Sequence, residues 1–446
     1  MVETHAAGKL LRILGLGFGL AAVVGGMVGQ GILRTPGIVA AAVHTPGMIL
    51  LLWLVGALFA GTSAFAYAEL GTAIPCTGGP YDFVRRAFGP VAGVVTGWAA
   101  WLDQILSLAM LSVVLSEFLH RLGVLPDVGT SLIAVGVISL FWALNWTGTR
   151  LSAGSQIVFS AIKGTALLAL VVVLFAHPAR GAASEVLSGA VGLAAMATAM
   201  RVIISTYNGW QGLIFFSEEL ERPERTLPGS MATGIVSVAA LYLLVNVAML
   251  HVLSPAQMAG SSLPAADAAK LALGGSGELA LTAFAVLSLA AICNLAIMKS
   301  TRIAFALSRG GYLPERLCHV ALNGTPRAAL TASVVFAAAF ASTGTYRTIL
   351  AAGIPVSMSL VILVNLSAAR LRQKEPNLPR PFRMPLFPLP VAIAIAGNLA
   401  LLAALIFEDI LHSLEGFMFL GSIGLIYSAV RWVRTRSEAL AAGEPP

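Results

Sequence analysis

Charge is scarce in this sequence of 446 residues: Asp, Glu, Lys and Arg together make up 11%, where a soluble domain carries roughly 25%. Such a chain cannot clothe itself in a water-facing surface, which excludes a soluble globular fold. Cysteine is scarce too. Cys76, Cys293 and Cys318 stand at no paired spacing, which supports neither a disulfide framework nor a zinc site. The seven histidines are scattered, with no pair at helix-face spacing, which argues against haem or metal chemistry inside a membrane. No phosphate-binding loop occurs, so ATP coupling is excluded. No nucleophile stands with a base in reach, as an enzyme requires. Glu218 and Glu219 are adjacent, and neighbours in sequence do not face one another on a helix. No cofactor and no enzymatic activity are expected.

What is abundant is apolar. Hydrophobic residues make up 58% of the chain, beside 45 glycines, the small residues through which helices approach closely in a bilayer. A hydrocarbon core of about 30 Å needs about 20 apolar residues per helix. Spans are predicted near 11–43, 46–71, 89–119, 129–148, 151–176, 190–219, 228–252, 277–307, 328–344, 348–370, 387–407 and 412–434, which makes an all-α polytopic membrane protein of 12 transmembrane helices. Residues 1–9 lack the cleavage pattern of a secretory signal, so the first span is expected to be retained. With the N-terminus inside, about 18 of the 27 Lys and Arg fall in cytoplasmic segments and about 4 in outer loops. That bias predicts cytoplasmic termini. The formal charge of +7 is therefore a topology signal and not a nucleic-acid surface, because the basic residues are spread over many loops.

Two spans are interrupted at corresponding places. Span 1 contains Gly25-Gly26-Met27-Val28-Gly29-Gln30-Gly31 and span 6 contains Ser205-Thr206-Tyr207-Asn208-Gly209-Trp210. Backbone left unpaired in hydrocarbon costs several kcal/mol, so a break at that depth survives only where it is buried in protein or lines a cavity. Spans 1–5 run opposite to spans 6–10 and a break opens each set, the pattern of an inverted repeat with its substrate site at the breaks. The organisation predicted is a tail over 1–10, a first repeat over 11–176, a second over 190–370, an added helix pair over 387–434 and a tail over 435–446. The longest outer loop, 254–276, is Ala-rich and punctuated by proline, which suits a short helix over the outer mouth.

Several motifs together resemble a known group. They are G-G-M-V-G-Q-G-I-L-R-T-P-G (Gly25 to Gly37), Y-A-E-L-G-T-A-I-P (Tyr67 to Pro75), Y-N-G-W (Tyr207 to Trp210), S-E-E-L-E-R-P-E-R-T-L-P (Ser217 to Pro228), S-R-G-G-Y-L-P with T-P-R-A-A-L, and E-P-N-L-P-R-P-F-R-M-P. In order and spacing they resemble the amino acid-polyamine-organocation superfamily over nearly the whole chain, and within it bacterial relatives of the L-type amino acid transporter family. The resemblance implies a leucine-transporter-type fold in the bacterial inner membrane, working as a secondary permease by alternating access. Neutral L-amino acids are the substrates it implies. A polyamine or cationic amino acid is the alternative, with Asp103 as the one candidate second carboxylate. A substrate-sensing receptor would need an added soluble domain, and the tails are too short. A disulfide-linked partner chain of the kind eukaryotic relatives attach is not expected, since no cysteine falls between spans 3 and 4.

A broken helix suits a zwitterion, because the second half offers free N–H groups to a carboxylate and the first half offers carbonyls to an ammonium. The amides of Gln30 and Gly31 are the expected carboxylate donors, with Gly29 opening the turn. The carbonyls of Met27, Ser205 and Asn208 are the expected ammonium acceptors, with Gly209 in the second break. Close helix packing is the competing account of the glycines. Where the L-type family commonly has a small or hydroxyl residue this chain has Gln30, and Ser205 stands where an aromatic gate is common. Tyr207 or Trp210 is therefore the expected occluding aromatic, unless the gate works differently.

Charges inside the spans add candidates. Lys163 lies about 18 Å into span 5 at ~1.5 Å per residue, too deep for an easy snorkel to the surface. By resemblance, a lysine there contacts span 1 where sodium sits in sodium-coupled relatives. It is read as replacing sodium, either as a fixed charge or as a proton carrier. Asp103 is expected to pair with Lys299, Arg302 or another basic group. Arg201 is read either as lining an outer vestibule or as a packed residue. Glu69, Glu218 and Glu219 are candidate inner-gate partners of Arg85, Arg86, Arg222 or Arg225, or else orient loops.

Overall fold

The computed structural model describes residues 9–29, 31–179, 192–343 and 346–441. Every regular element in them is helical. In chain order these are α1 (Leu16–Met27), α2 (Gly31–Val43), α3 (Pro46–Ala73), α4 (Pro80–Phe88), α5 (Pro90–Arg121), α6 (Thr130–Trp146), α7 (Thr149–Ala176) and α8 (Leu193–Thr206). A 3-10 segment, Trp210–Phe216, follows, and then α9 (Pro223–Val252), α10 (Pro255–Ala259), α11 (Pro264–Leu273), α12 (Gly275–Arg309), a short 3-10 turn at Glu315–Cys318, α13 (Arg327–Thr343), α14 (Tyr346–Lys374), α15 (Leu389–Glu408) and α16 (Ile410–Ala441). Proline starts α3, α4, α5, α9, α10 and α11, where its missing N–H is no loss and its fixed φ favours the first turn.

Seven helices are long and apolar enough to cross a membrane, and eight spans result when α1 and α2, bent by 45° at their break, are taken as one. The helices coincide with the segments predicted from hydropathy. The helices not among these are α6 and α13, each 17 residues long, the divided pair of α8 and Trp210–Phe216, and α14. The outer ring of side chains is apolar, with Leu140 67% and Phe407 80% exposed. Such a belt would drive association in water and faces lipid in a bilayer.

Two long packings form the centre: α5 lies along α12, and α3 along α9. Against them, α1 sits between α7, α9 and the 3-10 segment, while α2 lies on α8 and under α10 and α11. The chain just before α1 pairs with the chain just after the 3-10 segment, Leu14 N–H donating to Glu219 O at 2.9 Å and Glu221 N–H to Leu14 O at 3.0 Å. Span 1 and span 6 are thereby tied at one end, called here the basic end because Arg85, Arg302, Arg309, Arg372 and Arg380 gather there. At the other end the loop expected to carry one short helix carries two. α10 opens with a reciprocal cap between Ser254 and Gln257, which meets two of the otherwise unpaired N–H groups.

Candidate functional site

The break in span 1 is held by side chains from three other helices. α1 ends at Met27, and Val28 is extended, with ψ 97°, so the last carbonyls of α1 lose their helical partners. Lys163 on α7 donates from Nζ to Gly25 O at 2.5 Å and to Val28 O at 2.5 Å. Ser288 on α12 donates to the same Val28 carbonyl at 3.1 Å. Tyr242 on α9 donates to Met27 O at 2.8 Å and reaches Thr206 O at 3.4 Å. One turn earlier, Ser160 donates to Ala21 O at 2.8 Å. The ammonium is fully buried and its charge is met by carbonyl dipoles, which is what a buried cation needs.

The break in span 6 lies directly against the first. α8 ends at Thr206, Tyr207 caps it, and Gly209 takes φ 120° before the 3-10 segment begins. Only glycine adopts that angle without strain. A Cβ at Gly209 would lie 2.3 Å from Gly26 O, so the two breaks meet backbone to backbone. Above this contact, Thr35 and Thr206 share a hydroxyl hydrogen bond of 2.8 Å. Gly31 leaves room for Thr206, whose Oγ1 would sit 3.1 Å from an added Cβ. The glycines thus serve both accounts given above: they pack closely, and what they pack is a pair of interrupted helices.

Of the expected clamp residues, Gln30 lies outside the described residues. Gly31 is the first residue of α2, and the N–H groups of a first turn have no helical partner. Gly29 is half-buried beside Ile292. Met27 O is already engaged by Tyr242, which occupies one of its two lone pairs. Ser205 O accepts from Asn208 N–H at 3.2 Å, and Asn208 Oδ1 accepts from Gly209 N–H at 3.1 Å and Gln211 Nε2 at 2.8 Å. Ser205 and Asn208 are both exposed.

The two aromatic candidates are both buried. Tyr207 is 1% exposed, with its ring 5.8 Å from that of Trp53 and 5.1 Å from that of Tyr242. Trp210 packs edge-on to Tyr67 at 5.0 Å. Both rings turn toward α3, where edge-to-face packing and burial reward them. Gly56 makes room for Tyr207.

The charged residues find partners other than those expected from sequence. Arg302 does not pair with Asp103 but with Glu219, at 2.8 and 2.9 Å, in a fully buried bidentate pair that Thr149 also joins. Asp103 accepts from Gln104 Nε2 at 2.6 Å and from the Ser357 hydroxyl. Glu69 meets Arg372 and Arg380 on the 372–384 stretch, and accepts from Met384 N–H at 2.8 Å. Glu218 pairs with Arg309 and accepts from Thr77 N–H at 3.2 Å. Arg85 instead turns to Asp82, and Arg86 to Glu375. Arg201 is paired with Glu408 at the end of α15. Arg302–Glu219, Glu69–Arg372 and Arg201–Glu408 join residues far apart in the chain that packing brings together, whereas Arg85–Asp82 and Gln104–Asp103 are local contacts. Burial pushes the Asp82 carboxyl above its usual range, while the hydrogen bond from Arg86 holds Glu375 below it.

Tyr242, Ser288, Arg372 and Arg380 are contributors that sequence reasoning missed. Tyr242 carries a faint signal, a lone phenol in the apolar run 238–245, which in a bilayer must find an acceptor.

The chain is 26% identical to the b(0,+)-type amino acid transporter 1 of Mus musculus over 94% of its own length and 88% of that protein's. It is 27% identical to the cystine/glutamate transporter of Homo sapiens, covering 97% and 89% of the two chains. With the serine/threonine exchanger SteT of Bacillus subtilis (strain 168) it shares 25% identity over 90% and 92%. Residues 17–428 match the family model described as amino acid permease, and the chain belongs to that family within the amino acid-polyamine-organocation superfamily: it is an amino acid transporter, a multi-pass membrane protein and not an enzyme.

Proposed function

We propose that this permease carries neutral L-amino acids by alternating access and without sodium, driven by a proton gradient or by exchange. The observation carrying the reading is the Lys163 ammonium, 2.5 Å from both Gly25 O and Val28 O at the span 1 break. A fixed cation there supplies the charge that a sodium ion would otherwise bring to the same carbonyls. Beside it, the free amides at the start of α2 suit a carboxylate, and the carbonyls near Ser205 and Asn208 suit an ammonium. Exchange is the mode named for the Bacillus relative.

In this reading the chain crosses the bacterial inner membrane 12 times with both termini in the cytoplasm. The basic end, with Arg85, Arg86, Arg372 and Arg380, then lies inside. Spans 1–5 and 6–10 form the inverted repeat; counterpart spans lie together, α3 on α9 and α5 on α12. Spans 1 and 6 move as one body, joined at Leu14–Glu219 and at Gly26–Gly209, while the site stays near mid-membrane. No disulfide-linked partner is needed, as no cysteine lies between α5 and α6.

The test is uptake of labelled leucine, serine and glutamine into proteoliposomes, with sodium replaced by choline and with or without a pH gradient. Competition is read with neutral amino acids, their N-acetyl and decarboxylated analogues, and putrescine. Competition by intact zwitterions alone, unchanged by choline, is the expected result. Loss of uptake on sodium removal, or stronger competition by putrescine, would overturn the reading.

A further inference from the structure

Lys299 is a charge in the interior without a contact partner among the described residues. Lys299 on α12 is half-buried, and its ammonium has no hydrogen bond or ion pair among the described residues. Its stem runs along the 3-10 segment, where a Cβ on Gly212 would lie 3.3 Å from Lys299 Cδ. Leu295, one turn before it on α12, stands beside both Gly26 and Gly212. Lys299 is therefore one helical turn from the meeting point of the two breaks. The carboxylate whose field reaches it is Asp103 on α5, yet the two form no contact ion pair. Asp103 already accepts from Gln104 and Ser357, but a carboxylate has about four acceptor positions, and an ammonium has three donors, here unused among the described residues.

We infer that Asp103 and Lys299 form a subsite for the side chain of the transported amino acid, selective for a carboxamide. The inference rests on the reading of the breaks as a clamp for the substrate's charged ends. Lys299 donates to the amide oxygen while Asp103 accepts from the amide N–H, so a neutral group that is acceptor on one arm and donor on the other bridges them. A cationic side chain meets Lys299 and an anionic one meets Asp103, and each like-charge encounter opposes binding. An alkyl side chain strips water from both charges and returns no hydrogen bond. A hydroxyl satisfies both with a single atom and has the shorter reach, which ranks serine below glutamine and asparagine.

The experiment compares glutamine, asparagine, serine, leucine, glutamate and lysine as competitors of labelled leucine and of labelled glutamine in proteoliposomes. Glutamine is expected to compete at roughly tenfold lower concentration than leucine, as for a site built to hydrogen-bond its ligand. In the double variant Lys299→Met/Asp103→Leu that ratio is expected to fall to parity or below. Equal competition by glutamine and leucine in the native protein overturns the inference, as does an unchanged ratio in the double variant. If no neutral amino acid competes at all, the clamp reading itself has failed. Should the double variant not reach the bilayer, Gly212→Ala, which crowds the Lys299 stem, decides instead. A lowered glutamine-to-leucine ratio then supports the subsite, and an unchanged ratio overturns it.

Discussion

Gly26 and Gly209 touch through their backbones, with the carbonyl oxygen of Gly26 only 2.3 Å from where a Cβ on Gly209 would lie. No side chain mediates this contact, so any side chain added there forces the two interrupted helices apart. Gly209→Ala also places a Cβ at φ 120°, a strain of order 1–3 kcal/mol. Uptake in proteoliposomes is expected to be lost, with a lowered melting temperature of the purified protein. Native-like uptake by Gly209→Ala would show that the breaks separate without cost.

Lys163 is expected to matter more to transport than to folding. Lys163→Ala leaves Gly25 O and Val28 O without their cation. Val28 O keeps Ser288, so the main unsatisfied acceptor is Gly25 O, a cost of about 1–3 kcal/mol. Uptake should disappear while substrate still raises the melting temperature of the purified variant. Retained gradient-driven uptake by Lys163→Ala would reduce Lys163 to packing.

Tyr242→Phe removes one hydroxyl and keeps the ring among Trp53 and Tyr207. The lost bond to Met27 O should cost about 1 kcal/mol of stability, and the freed carbonyl becomes fully available to an ammonium. Thermal melts with and without substrate separate the two effects. An unchanged melt in the absence of substrate would mean that the Met27 carbonyl finds another donor.

Glu219 and Arg302 form a fully buried pair, so the order of damage among variants is predictable. Arg302→Met strands a buried carboxylate and should cost about 3–5 kcal/mol, whereas Arg302→Met/Glu219→Leu should recover much of it. Monodispersity and melting temperature of the detergent-solubilised proteins check this. A double variant no better than Arg302→Met would mean that the pair's contacts with Thr149 and the α1 entry matter more than its charges.

Asp82, at the start of α4, has a buried Oδ2 without a hydrogen bond among the described residues and a contact with Arg85 at 3.3 Å. Burial raises its pKa, against the opposing fields of Arg85 and Arg309 and with the support of Glu218. A raised folded pKa means that the folded state holds the proton more tightly than the unfolded one. Its stabilising contribution is therefore complete below the ordinary carboxylate value of about 3.9 and declines as pH rises through the elevated one. Asp82→Asn should flatten that decline and melt higher at neutral pH. Melting curves from about pH 4 to about pH 8 would contradict this if the variant lost stability faster than the native protein.

Much of the fold was legible in the sequence, since hydropathy alone located the long helices and the two glycine-bearing interruptions. The gate was not legible. Tyr207 and Trp210 carry the right chemistry to cover a substrate, but which way a ring points depends on what packs behind it, and both pack edge-on to rings of α3, Trp53 and Tyr67. Lys163 could be placed by depth, yet Tyr242 and Ser288, which share its task, looked like ordinary residues of apolar spans.

The sequence by itself determined that this chain lives in a bilayer, that two of its helices break, and that a lysine lies deep beside one break. Those properties follow from composition and from spacing along one helix, which are local. Only the tertiary structure decided who satisfies whom: Arg302 with Glu219, Glu69 with Arg372 and Arg380, Arg201 with Glu408, and Lys299 with no one among the described residues. Buried charges choose partners by distance after packing, and the helices that supply those partners lie tens to hundreds of residues away in the chain.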